Sequence, residues 1–351
     1  MAFLSVKNIK IAGIAACVPK NEESNLDYDW ISLAERELLI KTTGIAKRRV
    51  ALDGLCTSDM CYASANTLFQ ELNIDRSEID IVIFVSQSPD YFLPATSIIL
   101  QDRLQLPKTT MAFDMQLGCS GYVYGLSVIS NLMNANKFRK GLLMVGDKSS
   151  FSQSKKDKST YPIFGDAGTA TLLEYNEKAD QMDFNLQSDG SGYKAIIIPD
   201  GGTRSPYNKD SETMVEIEKG IIRSRKNLVL DGLEVFNFSL REATPNINNL
   251  LKHIGKTTAD FDYFLFHQAN KLMNESIRKK LKIAPEKVPY SLTNYGNTSS
   301  ASIPLTIVTE LTEKIKNKKI SLLLSAFGVG LSWGSATLKT ENLICPKLIE
   351  L

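Results

Sequence analysis

Histidine is nearly missing from this chain. His253 and His267 are the only two among 351 residues, so any imidazole that takes a proton, donates a hydrogen bond or binds a metal is one of them. Cysteine offers no paired spacing. Cys17, Cys56, Cys61, Cys119 and Cys345 are odd in number and form no CxxC, which argues against a zinc ribbon or a thioredoxin-type pair. A chain of this size also needs no disulfide framework. No apolar run approaches about 18 residues, so no membrane-spanning helix is expected. Neither sign of charge is in excess: 41 Lys and Arg face 39 Asp and Glu, and a net +2 gives no global field for nucleic acid. The N-terminal "KNIKIAGIAACVPK" reads as a strand and a turn. It lacks the charged start, long apolar core and cleavage site of a secretion signal, so a cytoplasmic protein is expected.

What is present is an ordinary globular composition, 43 % hydrophobic and 23 % charged, with enough length for two domains or one fold of two similar halves. Two segments look alike. "IDIVIFVSQSPDYFLPATSIILQDRLQL" gives an apolar strand, a turn-rich loop and a helical pattern, and "FDYFLFHQANKLMNESIRKKLKI" gives the same order. Each is followed by a glycine turn and a helix, "GCSGYVYGLSVISNLM" and "GNTSSASIPLTIVTEL", and then by a strand, "GLLMVGD" and "ISLLLSAFG". The offset is about 180 residues, which predicts a duplicated α/β unit and excludes a solenoid of short period. Strands alternate with helices as in βαβ connections, and runs such as "IVIFV" read as buried parallel strands. We place the halves at 1–175 and 176–351. The polar, glycine-bearing stretch from Ser150 to Lys226 is expected to hold loops and a strand hairpin.

Three polar residues carry candidate chemistry. Cys119 follows Gly118 and precedes a helical pattern with apolar Val123, Leu126, Val128 and Ile129. A helix N-terminus favours a thiolate and predicts a lowered thiol pKa, although a buried, inert cysteine fits the same stretch. His267 stands directly after an apolar strand, where open α/β sheets bind ligands; a locally bonded histidine is the alternative. Asn297 lies in a glycine turn before a helix, in the duplicate's counterpart of the Cys119 region. Its amide can donate two hydrogen bonds, or serve only as a turn residue. "SAFGVGLSWG" runs from a strand into Gly328, Val329 and Gly330, and backbone N–H groups at such a turn can hold an oxyanion. "IFGDAGTA" reads as a structural glycine turn, and His253 as an exposed helix-end residue.

"GCSGYVYGL", "HQAN", "NYGNTSSASIP" and "AFGVGLSWGSA", in this order, resemble the β-ketoacyl-acyl-carrier-protein synthase III family of the thiolase-like condensing enzymes. "TTGIAKRRV", "PDYFLPAT" and "FGDAGTA" extend the resemblance over essentially the whole chain. It implies a thiolase-like α/β fold, two similar halves in five αβαβα layers, and a homodimer. It also implies a decarboxylative Claisen condensation of an acyl thioester with malonyl-acyl carrier protein, initiating fatty acid synthesis. The family's triad falls on Cys119, His267 and Asn297, and its oxyanion hole on the backbone N–H groups of Cys119 and Val329. The substrates implied are acyl carrier protein and acyl-coenzyme A or another acyl thioester, with no metal or other cofactor, no nucleic acid and no membrane.

Leu93, Phe327 and Gly328 are candidates to line the substrate pocket. Leu38 and Thr42 stand where better-known members carry a tryptophan and an arginine for the coenzyme A nucleotide, and Leu272 replaces a carrier-docking arginine. Lys271, Arg278 and Lys279 are the candidates to replace it as a basic patch, or are simply a solvated helix face. These departures leave open a donor other than acetyl-coenzyme A in a secondary pathway. A reading of another class, a non-catalytic paralogue that binds the carrier protein, is opposed by the intact triad.

Overall fold

The computed structural model describes residues 2–351. Two mixed sheets form the frame. The first runs, edge to edge, Ile349–Glu350, Ile9–Val18, Ala167–Tyr175, Lys140–Asp147, Ile79–Val85 and Met111–Met115. The second runs Ala2–Val6, Met182–Ser188, Ser332–Glu341, Lys319–Gly328 and Tyr263–Phe266. In the first, Ile79–Val85 is parallel to Lys140–Asp147, and in the second Tyr263–Phe266 is parallel to Lys319–Gly328. The antiparallel neighbours Ala167–Tyr175 and Ser332–Glu341 then occupy matching places, as a duplication requires.

The expected division after residue 175 falls in the link between Ala167–Tyr175 and Met182–Ser188, strands of different sheets. Two terminal strands cross it. Ala2–Val6 pairs with Met182–Ser188 in the second sheet, and Ile349–Glu350 pairs with Ile9–Val18 in the first. The stretch from Ser150 to Lys226 does contain a hairpin, Val215–Glu218 with Ile221–Arg223. It also supplies two long sheet strands, because "ATLLEY" and "MDFNL" carry the apolar residues that a buried strand needs.

Burial explains the layering. The helix Gly121–Asn136 is apolar nearly all round and buries Tyr122, Val123, Leu126, Ile129 and Met133. A helix with so little polar face belongs in the middle of a fold. It and the helical stretch Ser302–Ile315, which passes through a π-turn at Ile307–Leu311, lie in one apolar cluster with residues of both sheets. A second cluster joins Gly232–His253 and Lys271–Lys280 to the outer face of the second sheet. A third joins Thr57–Glu71 and Thr96–Arg103 to the outer face of the first. The first cluster packs the central helices against the inner faces of both sheets and the other two bury the outer helices, which gives the five αβαβα layers that the resemblance implies.

The central helices therefore begin where the parallel strands of both halves end. Leu126 is fully buried at the centre of this layer. Leu126→Ala should cost about 2–5 kcal/mol in denaturant unfolding, with the helical content unchanged by far-UV circular dichroism.

Candidate active site

Four parallel strands end at one place. Gln87 follows Ile79–Val85, Asp147 closes Lys140–Asp147, His267 follows Tyr263–Phe266, and Gly328 closes Lys319–Gly328. Two helix starts face them: Cys119 precedes Gly121–Asn136, and Asn297 precedes the turn Ser299–Ala301. Cys119, His267, Asn297, Phe327 and Gly328 line a common cavity of about 150 Å³. Cys119 and Val329 also line a larger one of about 390 Å³. Phe151, Phe164, Ile196 and Leu228 give this second space a largely apolar wall. The sulfur is thus shared between two cavities.

Cys119 is placed by contacts from both halves. Gly121 N–H donates to the Gly118 carbonyl at 2.7 Å, which starts the helix, and the buried hydroxyls of Ser120 and Ser332 meet at 2.7 Å. Gly328 is required by contact: a Cβ there would stand 2.5 Å from the Cys119 Cβ and 2.8 Å from its Sγ. The Val329 N–H, the Cys119 N–H and the Ser299 hydroxyl all favour the thiolate. Burial and the carboxylate of Asp147 outweigh them and push the thiol up to about 11. The lowered pKa expected from the helix start is therefore corrected: desolvation of a charge exceeds what a helix terminus returns.

His267 is almost fully buried, with its N–H on the Ser325 carbonyl at 2.8 Å and its ring edge-on to Phe327. Nδ1 and the Ser302 hydroxyl lie 2.8 Å apart, and that hydroxyl oxygen accepts from the Gln268 N–H at 3.4 Å. The Ser299 carbonyl, which can only accept, also faces the ring. From these partners we assign the hydroxyl proton to Nδ1 and the ring's own proton to Nε2. Burial holds the imidazole down to about 3, so it is neutral at physiological pH. Asn297 is held by its N–H on the Ile163 carbonyl at 2.9 Å and its carbonyl on the Gly165 N–H at 3.0 Å. Its Oδ1 accepts from the Ser299 N–H at 2.9 Å, which turns the amide NH₂ toward the cavity. The "FGDAG" turn is thus the clamp of Asn297.

Other expected residues are placed differently. Leu93 lines neither cavity of its own chain; it is 76 % exposed on the loop beyond Ile79–Val85, next to Tyr91 and Phe92. Arg278 is not a free docking charge, because it is held by Glu275 at 2.7 Å and by the Ile283 carbonyl. Lys271 and Lys279 are exposed on the same helix, as are Leu38 and Thr42 on Leu33–Thr43. His253 is exposed and stacks on Phe3 at 4.2 Å. Sequence reasoning missed Asp147, Ser299 and Ser302. Asp147 carried the same signal as His267, a polar residue closing an apolar parallel strand.

Comparison with known proteins identifies the family. The family model described as "3-Oxoacyl-[acyl-carrier-protein (ACP)] synthase III" matches residues 113–190, and its C-terminal counterpart matches residues 251–340. A Campylobacter jejuni chain, named provisionally as a 3-oxoacyl-[acyl-carrier-protein] synthase 3, is 36 % identical over 97 % of this chain and 96 % of its own length. A Campylobacter fetus protein named beta-ketoacyl-[acyl-carrier-protein] synthase III is 31 % identical over 95 % of this chain and 99 % of its own. The crystal structure of a Burkholderia xenovorans 3-oxoacyl-(acyl-carrier protein) synthase superposes with a TM-score of 0.94 at 36 % identity, covering 100 % of this chain and 99 % of that one.

Two outcomes follow. Gly328→Ala should slow iodoacetamide alkylation of Cys119 by roughly a hundredfold, because the sulfur is displaced from its approach path; peptide mass mapping reads it. In the unsubstituted protein the same reaction should keep rising with pH toward about 11, above the ordinary thiol value of 9.0.

Proposed function

The chain belongs to the 3-oxoacyl-[acyl-carrier-protein] synthase III family, and from that membership we propose how its residues divide the work. The reaction is a decarboxylative condensation of an acyl thioester with malonyl-acyl carrier protein, giving a 3-ketoacyl-acyl carrier protein and initiating fatty acid synthesis. The observation that carries our assignment is one sulfur shared by two cavities, with two neutral donors in only one of them.

In the first half-reaction the Cys119 sulfur attacks the acyl thioester carbonyl. The N–H groups of Cys119 and Val329 hold the oxyanion, and the acyl chain enters the larger, apolar cavity. In the second, malonyl thioester enters beside His267 and Asn297. As CO₂ leaves, negative charge grows on the thioester oxygen, and the His267 Nε2–H and an Asn297 N–H donate to it. Both donors are buried and fixed in advance, so they strengthen with the developing charge and cost no reorganisation. The enolate carbon then attacks the acyl-cysteine and frees the sulfur. The Cys119 thiol proton leaves with the donor's thiol, and the Cys119 thiolate freed by condensation takes up a proton again; no metal or organic cofactor is part of the proposal.

Lys271 and Lys279 support docking of an acidic carrier protein, since both are exposed on the helix that follows His267. A homodimer is supported by the apolar tip Tyr91, Phe92 and Leu93, exposed by 63 %, 84 % and 76 %. In such a dimer Leu93 would face the partner instead of its own cavity. A cytoplasmic location fits a chain in which no helix of the described residues can cross a membrane.

Incubation with acyl thioesters should leave one acyl group on Cys119, read by intact mass; Cys119→Ala should carry none. His267→Ala should lower malonyl decarboxylation by roughly 10²–10³-fold while acylation survives; equal loss of both steps contradicts the division of labour. Because burial keeps His267 neutral, decarboxylation by the acylated enzyme should show no inflection near the ordinary histidine value of 6.5. A step there in a stopped-flow pH series would mean that the ring titrates. Phe92→Asp should shift the protein toward monomer in sedimentation analysis.

A further inference from the structure

The larger cavity is far bigger than a two-carbon donor needs. It offers about 390 Å³ beside the Cys119 sulfur, against about 150 Å³ on the side of His267 and Asn297. A methyl or methylene group takes about the space of one water molecule, roughly 30 Å³. The single methyl of an acetyl group would therefore fill less than about a tenth of that space. The remainder would admit water to an acyl-cysteine that has to survive until the second substrate arrives, and excluding water is what protects such an intermediate from hydrolysis.

The wall of the cavity suits an apolar chain. Beyond the apolar side chains already described, Phe151, Ile198 and Tyr207 line it and are themselves exposed to solvent, Phe151 by 80 %. Exposed apolar residues scattered singly are ordinary, but three bordering one cavity form a binding surface. Four charged side chains also line it, and three are tied off elsewhere. The Lys148 ammonium donates to the Leu52 carbonyl at 3.1 Å, and Lys226 pairs with Glu212 at 2.7 Å. Asp147 accepts from Ser86, Gln87 and Ser300. Burial pushes the fourth, Asp90, up toward the uncharged acid.

Two small or flexible positions leave the space open. Cys56 stands at the start of the helix Thr57–Glu71, half-buried, with a short side chain on the cavity wall. Its N–H donates to the Asp59 carboxylate at 2.8 Å, a backbone bond that any residue at this position keeps. Ile198 follows the short strand Ile196–Ile197 and is exposed, so a larger side chain there has room to turn into the cavity without displacing the core.

We propose that the donor acyl group is a medium-length saturated chain of about eight to twelve carbons, with its far end against Phe151, Ile198 and Tyr207, and that Cys56 and Ile198 set its length. The inference deepens the reading of Cys119 as the acyl acceptor and rests on it. A chain of this length fills most of the cavity and displaces its water. Each methylene moved from water to the apolar wall should raise kcat/KM for acylation by roughly fourfold until the space is full.

The experiment measures acylation of Cys119 by rapid quench and intact mass, with saturated donors from acetyl to palmitoyl. Each is presented both on coenzyme A and on phosphopantetheinylated carrier protein. We expect kcat/KM to peak between octanoyl and dodecanoyl, at least about a hundredfold above acetyl. Cys56→Phe and Ile198→Trp should each move the peak to shorter donors and lower the ratio of decanoyl to acetyl kcat/KM by at least about tenfold. Because the readout is a ratio within one variant, a general loss of activity does not imitate it. A maximum outside the octanoyl to dodecanoyl range, at acetyl above all, overturns the proposal, and an acetyl maximum is the result expected if a partner subunit fills the space. An unchanged ratio in Ile198→Trp overturns it equally. If Cys56→Phe does not fold, Ile198→Trp alone decides. A protein that no donor acylates at Cys119 refutes the underlying reading instead.

Discussion

Close approach between Gly328 and Cys119 is the constraint on which the rest depends. The end of a strand in one half lies against the start of a helix in the other, with no room for a single additional carbon. That contact holds only if the central helices are packed between two sheets, and the sheets meet only if their inner faces are apolar, as the large shared cluster makes them. The duplicated architecture therefore does more than repeat a unit. It brings the carboxyl ends of two sets of parallel strands to one point, and the candidate residues are split between them: Cys119 from one half, His267 and Asn297 from the other.

Electrostatically the site is arranged around neutrality. The imidazole is neutral because burial forbids its charge, and the thiol is neutral because burial and Asp147 forbid the thiolate. Burial pushes the Asp147 carboxyl above the usual carboxylate range, and Ser86, Gln87 and Ser300 donate to its oxygens against that trend. In a desolvated pocket, charge that appears only during reaction meets donors already aimed at it. A resting thiol also resists adventitious oxidation and alkylation, which act on thiolates.

Much of this was legible in the sequence. Runs such as "IVIFV" and "LLLSAF" announce buried parallel strands, and the repeated order of strand, loop, helix and glycine turn announces the duplication. His267 was found because a polar residue ending such a strand has little structural reason to be there. Asp147 met the same criterion at the end of "GLLMVGD" and was passed over, because a strand-end aspartate is easily taken for a turn residue. Ser299 and Ser302 were hidden in a serine-rich turn, where nothing local says which hydroxyl faces the site. The thiol pKa was misjudged since the helix dipole can be read from the chain, whereas the burial and the distant carboxylate opposing it cannot. Leu93 is exposed and lines neither cavity of its own chain, since sequence gives a loop's composition but not where its tip points.

The exchanged terminal strands carry a consequence for synthesis on the ribosome. Ile9–Val18 acquires one of its neighbours only from residues 349–350, made after the whole second half. Ala2–Val6 must wait for Met182–Ser188 before it has a partner. A growing chain thus exposes that edge of Ile9–Val18 until residues 349–350 have been made, and unpaired edges invite association with other chains. Each sheet takes one edge strand from the opposite end of the chain, which ties the completion of either half to the synthesis of the other.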